Sequence, residues 1–278
     1  MKNLKPYNGD ALKEYKDAIN RKKKDSIERN KLEKIEPDIV SAYSKYKSNF
    51  DANTLHNINF DNRFSDVKNE LFSLYDYQCK IIKNIRENIA NQQIETIRNT
   101  CQNCTIDSVG SMDHILPKNI YPEYIVNPYN LFPCCSKCNQ YKSITNGDTK
   151  FLNLFLDKLP EIQYLFVNVY ADNDCLNFTF DLRNDNNQIS SYLFTKIENH
   201  FNNLHLLERM KDCSISHLSA FISSIKPHFR RNGKEYVIDT TIESIYNNRS
   251  SYGYNYWKCS LEYGLITSDV FWDFLEDI

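Results

Sequence analysis

The chain lacks any run of about 18 apolar residues, so no helix able to cross a bilayer is expected. Its first stretch, "MKNLKPYNGDALKEYKDAINRKKK", lacks the apolar segment of a secretory leader, which sets the expectation of a cytoplasmic protein. An even cysteine set is missing too: 9 cysteines without a leader argue against a disulfide framework. Glycine is scarce, at 6 residues, while Asn, Tyr, Lys and Ile abound; that bias suits an AT-rich coding sequence better than any one function. No internal repeat and no low-complexity tract is present. Nor is there an excess of positive charge overall. The formal net charge is −2, so the chain as a whole is not a polycation.

What is present is an apolar fraction of 41% in 278 residues, enough for a sizeable core and for about two domains. Charge is unevenly spread. Residues 1–50 hold 13 Lys and Arg against 8 Asp and Glu, a balance of +5, whereas residues 151–278 hold 11 against 17, a balance of −6. Any contact with nucleic acid should therefore be local, near the front of the chain and the cysteine region.

Residues 10–34 carry the pattern of one charged helix ending before Pro37, with "RKKK" at 21–24 either a solvated helix face or a phosphate contact. Residues 38–48 read as a second short helix and 49–63 as a polar loop. The clearest helical stripe spans 66–98, where Leu71, Leu74, Tyr75, Ile81, Ile82, Ile85 and Ile89 recur mostly three or four apart and face a core. "QYLFVNVY" and "LNFTFDL", on either side of "ADND", predict an antiparallel hairpin. "SYLFTKIENHFNNLHLLERM" and "HLSAFISSIKPHF" return to helical spacing, with Pro227 limiting the second, and the aromatic-rich last 40 residues are expected to be helical. His200, His205, His217 and His228 lie on amphipathic stretches and read as structural or solvated; His56, in a polar loop, says nothing.

The cysteines are clustered. Cys101, Cys104, Cys134, Cys135 and Cys138 fall within 38 residues, whereas Cys79, Cys175, Cys213 and Cys259 are scattered and read as small apolar residues. "CQNC" and "CSKC" form two Cys-x-x-Cys pairs, 30 residues apart. Two such knuckles give a closed tetrahedral site of four thiolates, the donor set of structural zinc. A site of this kind supplies on the order of 10 kcal/mol toward folding. Cys134 competes with Cys135 for the third position, but Cys135 keeps the two-residue spacing. A redox Cys-x-x-Cys needs a βαβ context and a single pair, and neither is present.

Between and beyond the knuckles lie "SMDHILPK", "NPYNLFPCC" and "CNQYK". The order Cys-x-x-Cys, Asp-His, Asn-Leu, Cys-x-x-Cys-Asn-x-x-Lys resembles the HNH endonucleases of the zinc-bearing ββα-metal kind, over residues 101–142. The resemblance implies an α+β, mainly α fold. A central ββα-metal module with a four-cysteine zinc clamp would span 99–150. A helical region, 1–98, would precede it, and a mostly helical region with a β-hairpin, 151–278, would follow.

It also implies roles. His114 takes the place of the general base, since a neutral imidazole can accept a proton from water. Asp113 takes the place of a ligand to a hard cation such as Mg²⁺ or Mn²⁺. Strict alternation on a strand separates these neighbours, and a bend is needed for them to serve one site. Asn130 matches the middle residue of the motif and would orient the loop carrying the histidine; Asn127 is its competitor. Asn139 stands where many relatives have histidine, making this an HNN variant whose amide oxygen favours Mg²⁺ or Mn²⁺ over softer ions. Lys142, and with it Lys118, would contact backbone phosphate.

DNA is the expected substrate, with "RKKK" and "FRRNGK" at 229–234 as candidate phosphate contacts. "MKNLKP" and "IENHFNNLHLLER" are similar to HNH effectors of bacterial anti-phage systems, including Septu-type nucleases that work beside an ATPase. On that likeness the acidic second half is a partner surface. Two alternatives stay open: a non-catalytic zinc module that binds nucleic acid or a protein, and an RNase on the same scaffold.

Overall fold

The front of the chain folds as short capped helices in the computed structural model, which describes residues 1–144, 151–173 and 175–277. Asp10 accepts from the amides of Leu12 and Lys13 and starts α1 (Ala11–Asn20); Ser26 accepts from Arg29 and starts α2 (Ile27–Lys34). The single helix expected over 10–34 is therefore two. Asp25 takes a left-handed φ of 58°, and Ser26 offers a cap in the middle of the pattern. "RKKK" lies in the turn between them rather than on a helix face, and Lys22 is tied to the Ser73 carbonyl at 3.1 Å and to Glu28 at 2.9 Å. Helix α3 (Glu36–Asp51) carries Pro37 in its first turn, where the missing N–H has no partner to lose, and runs longer than the expected 38–48.

The stripe over 66–98 also divides. It holds the end of a 3-10 stretch, Asn62–Val67, then α4 (Lys68–Phe72) and α5 (Lys80–Asn91). Asp76 makes the break: its carboxylate accepts from the Gln78 amide and its carbonyl from the Cys79 amide, both at 2.9 Å. Such a local turn competes with the helical ladder. The apolar positions nonetheless share one core, in which Leu71, Leu74, Ile82, Ile85 and Ile89 pack with Tyr15, Leu32, Ile39 and Tyr46.

In the middle, β1 (Ser111–His114) pairs antiparallel with β2 (Leu131–Cys134), Asp113 opposite Phe132 and His114 opposite Leu131. Helix α6 (Ser136–Ile144) follows β2 almost directly. The end expected for the central module, at residue 150, lies outside the described residues. A second hairpin joins β3 (Leu165–Asp172) to β4 (Cys175–Leu182), with Leu165 opposite Leu182.

Four α-helices follow among the described residues: α7 (Ser191–Asn203), α8 (Leu206–Tyr252), α9 (Trp257–Ile266) and α10 (Asp269–Asp277). The one helix expected over 191–210 is cut at His205, whose φ of 51° is left-handed. Pro227 does not end its helix. Both it and Ser223, whose carbonyl loses a donor, are exposed to water, while Phe221 and Ile225 keep the helix packed. The break in α8 comes instead at Gly233, with φ 83°.

The described residues thus form a mixed α+β, mainly helical chain with two-stranded sheets, and none of their helices is long and apolar enough to cross a membrane. Apolar side chains gather into two cores. Hairpin β1–β2 sits between them, Met112 and Leu131 facing the N-terminal core, Phe132 and Cys134 the C-terminal one.

Gly253 closes α8 with φ 104°, and a Cβ there would stand 2.1 Å from the Met1 carbonyl oxygen. Gly253→Ala is expected to cost roughly 2–4 kcal/mol and to lower the thermal midpoint. Gly110→Ala, whose methyl meets only Ser136 Oγ at 3.4 Å, leaves it nearly unchanged. Equal midpoints for the two variants would contradict this account of the turn.

Candidate metal centre and adjoining cleft

The first knuckle is shaped by its backbone. The Cys101 amide donates to the Asp107 carbonyl at 2.9 Å, and the Cys101 carbonyl accepts from the Thr105 amide at 2.7 Å. Thr105 adopts a φ of 57°, rare for a β-branched residue, so the turn is imposed by its surroundings. The second knuckle rides on the start of α6. Cys135 precedes the helix, Cys138 lies in its first turn, and the Cys138 amide donates to Cys135 Sγ at 3.4 Å. The positive end of the helix favours thiolates there.

The Sγ atoms of Cys101, Cys104, Cys135 and Cys138 lie within 4.8 Å of one another, all in buried residues. Cys134 is as buried but stands outside the group; it ends β2, opposite Ser111. Hydrogen bonding to Cys101 and Cys104 holds Cys135 far below the ordinary thiol range, while bonding to Cys104 and Cys135 pushes Cys101 well above it. The same hydrogen bonding lowers Cys104 and raises Cys138, so the four sulfurs do not ionise together on their own. A divalent cation relieves that frustration by accepting all four as thiolates. The buried cluster can therefore hold a metal such as zinc.

Asp113 and His114 border a cleft of ≈ 690 Å³, which Lys118, Asn139, Lys142 and Tyr75 also line. Although the two are neighbours at the end of a strand, both line this cleft. His114 is fixed from two sides. Its Nε2 is 2.9 Å from the Ile125 carbonyl, which can only accept, so Nε2 carries the proton and Nδ1 keeps its lone pair. The Tyr75 ring lies 4.8 Å from the imidazole, and the Tyr75 hydroxyl donates to the Met112 carbonyl at 2.9 Å. Burial lowers the His114 pKa to about 4, so the ring is neutral at pH 7.

Asn130, fully buried, ties the loop between the strands together. Its Oδ1 accepts from the Leu116 amide at 2.7 Å and the Tyr46 hydroxyl at 3.1 Å. Its Nδ2 donates to the carbonyls of Leu116 at 3.1 Å and Tyr124 at 3.2 Å. These bonds hold the segment that presents the Ile125 carbonyl to His114. Asn127 serves a smaller purpose, accepting from the Tyr129 amide at 3.1 Å to start a single turn.

Asp113 and Lys142 form an ion pair at 2.6 Å, their side chains 10% and 22% exposed. The lysine expected to reach a phosphate thus rests on the carboxylate expected to hold a cation. Its ammonium shows that Asp113 accepts positive charge on the side of the cleft. Asn139 donates from Nδ2 to Ser111 Oγ at 2.7 Å, and the Lys118 ammonium lies over the Tyr75 ring at 5.3 Å. A neutral imidazole, a carboxylate, an amide and two ammonium groups around one cleft can take up a proton, hold a hard cation and neutralise phosphate oxygens.

Two of the other histidines, His200 and His217, have structural partners. His200 donates from Nε2 to the Asn103 carbonyl at 2.8 Å and accepts at Nδ1 from the Leu152 amide at 3.3 Å; His217 pairs with Glu262 at 2.8 Å. Two contributors escaped the sequence. Tyr75 belongs to an apolar stripe and reads as core. Arg209, which donates to Cys138 Sγ at 3.4 Å, announces itself only as a charge inside "LLERM".

The geometry separates Cys134 from Cys135. Cys134→Ser is expected to retain one metal ion per chain by elemental analysis, while Cys101→Ser and Cys135→Ser lose it; the reverse pattern at 134 and 135 would overturn the assignment.

In comparison with known proteins, no family model matches the chain, and no match is found among curated proteins or solved structures.

Proposed function

We propose that the chain is a metal-dependent endonuclease of the HNH kind, hydrolysing phosphodiester bonds of DNA, with structural zinc at the four cysteines and Mg²⁺ or Mn²⁺ at the cleft. The observation that carries this reading is the state of His114. The ring is neutral, its Nε2 is occupied by Ile125, and its Nδ1 has no hydrogen-bond partner among the described residues. Such an atom, beside a carboxylate at the rim of a cleft with two lysines, is equipped to take a proton from water.

His114 acts as general base, and the neighbouring Asp113 carboxylate stabilises the imidazolium that results. Asp113 and Asn139, through Oδ1, supply the oxygen donors for the hard cation. When bound, that cation neutralises charge developing on the phosphate. Released from Asp113, Lys142 reaches a phosphate oxygen; Lys118 does the same from its place over the Tyr75 ring. Asn130 and Tyr75 touch no substrate and keep the imidazole in place. The likeness to anti-phage effectors extends the proposal to an ATPase partner docking on the acidic second half.

One observation favours a second reading. The Asp113 carboxylate is already neutralised by Lys142 at 2.6 Å and so has no need of a cation. On that reading the chain is a non-catalytic zinc module that binds nucleic acid or a protein.

Plasmid DNA and single-stranded RNA incubated in parallel with Mg²⁺ or Mn²⁺ decide between these readings and between substrates. His114→Ala is expected to slow cleavage by about 10²–10⁴-fold with zinc content unchanged; equal cutting by variant and wild type would remove the assigned base. Lys142→Met is expected to tighten Mn²⁺ binding in the absence of nucleic acid by roughly tenfold, because an ammonium no longer competes for Asp113. Unchanged Mn²⁺ affinity in a calorimetric titration would place the cation elsewhere.

A further inference from the structure

We infer, from the four-cysteine centre alone and not from the chemistry proposed for the cleft, that Arg209 is the counter-charge of that centre. Through it, a loaded metal fastens the C-terminal half of the chain to the hairpin β1–β2.

Arg209 lies in the first turn of α8 and is 5% exposed. Its Nη1 donates to Cys138 Sγ at 3.4 Å and to the Leu204 carbonyl at 3.1 Å. Its Nη2 meets Asp107 at 3.1 Å and lies 4.0 Å from Cys135 Sγ. One side chain thus touches both knuckles, the second through its sulfurs and the first through Asp107. A guanidinium does not become neutral on burial, so its desolvation must be offset by negative charge nearby. Asp107 is 45% exposed and meets only part of that demand. Four thiolates around a divalent ion leave a dianion in the interior, and this is the charge that Arg209 faces. Among the described residues it is the one cation hydrogen-bonded to those sulfurs.

Two further side chains from the same half hold the backbone of the first knuckle. His200, on α7, donates to the Asn103 carbonyl at 2.8 Å, and Trp257, on α9, donates from Nε1 to the Thr105 carbonyl at 3.1 Å. Three successive helices each place a donor on the segment 101–107, Arg209 doing so through Asp107. Thr105, the residue with the unfavourable φ of 57°, sits at the centre of that grip. The knuckle keeps this shape while its cysteines converge on an ion. Metal loss therefore does more than loosen a local loop: it removes the charge facing Arg209 and relaxes the carbonyls that His200 and Trp257 hold.

The test uses the full chain loaded with Zn²⁺. Zinc transfer to a chromogenic chelator is expected to be roughly tenfold faster or more in Arg209→Met, intermediate in Arg209→Lys, and unchanged in Glu208→Gln, an exposed neighbour. Stripping zinc from the wild type is expected to open protease sites within α7, α8 and α9 while the helices of the first 91 residues persist by mass-mapped digestion. Adding Zn²⁺ back restores protection. Wild-type transfer rates in both Arg209 variants, or a C-terminal half that stays protected in stripped protein, would overturn the inference. If Arg209→Met does not fold, the lysine variant and the wild-type stripping arm still decide it.

Discussion

Four buried sulfurs stand too close together to ionise at once without a cation among them, and the rest of the structure is arranged around that constraint. The strands they bracket are four residues long, too short to be stable as an isolated hairpin. The segment also lies between two apolar cores rather than inside either one. A closed Cys₄ metal centre contributes on the order of 10 kcal/mol toward folding. At this junction a bound metal would do the work that apolar burial does elsewhere in the chain.

The knuckles that carry the four cysteines also flank the cleft. Asn139 follows Cys138 on α6, and β2, which ends at Cys134, lies across from β1 with its Asp113 and His114. The Gly110 amide donates to the Cys134 carbonyl at 3.0 Å and keeps the start of β1 against the second knuckle. From the other side Asn130 fixes the loop whose Ile125 carbonyl orients His114. The four-cysteine cluster thus joins the strand and helix, and a fully satisfied amide aligns the imidazole. Both are rigid devices.

Much of this was legible in the sequence. Paired Cys-x-x-Cys spacing pointed to four particular sulfurs and favoured Cys135 over Cys134, because geometry at a knuckle is local. The β-branched and aromatic character of "QYLFVNVY" and "LNFTFDL" around "ADND" read directly as a hairpin for the same reason. The helix breaks near Asp25 and Asp76 were not legible. An apolar stripe records which face is buried, and it is silent about a polar side chain that captures a neighbouring amide. Pro227 misled in the opposite direction, since a carbonyl open to water tolerates the loss of its donor. The partners of Arg209 and Lys142 lie 71 and 29 residues away, and no local pattern carries such pairings.

X-ray absorption at the zinc edge of the loaded protein tests the central constraint most directly. The account predicts a single shell of four sulfurs at about 2.3 Å, with no nitrogen or oxygen ligand. A mixed shell, or sulfurs found as disulfides with the ion bound elsewhere, would contradict it.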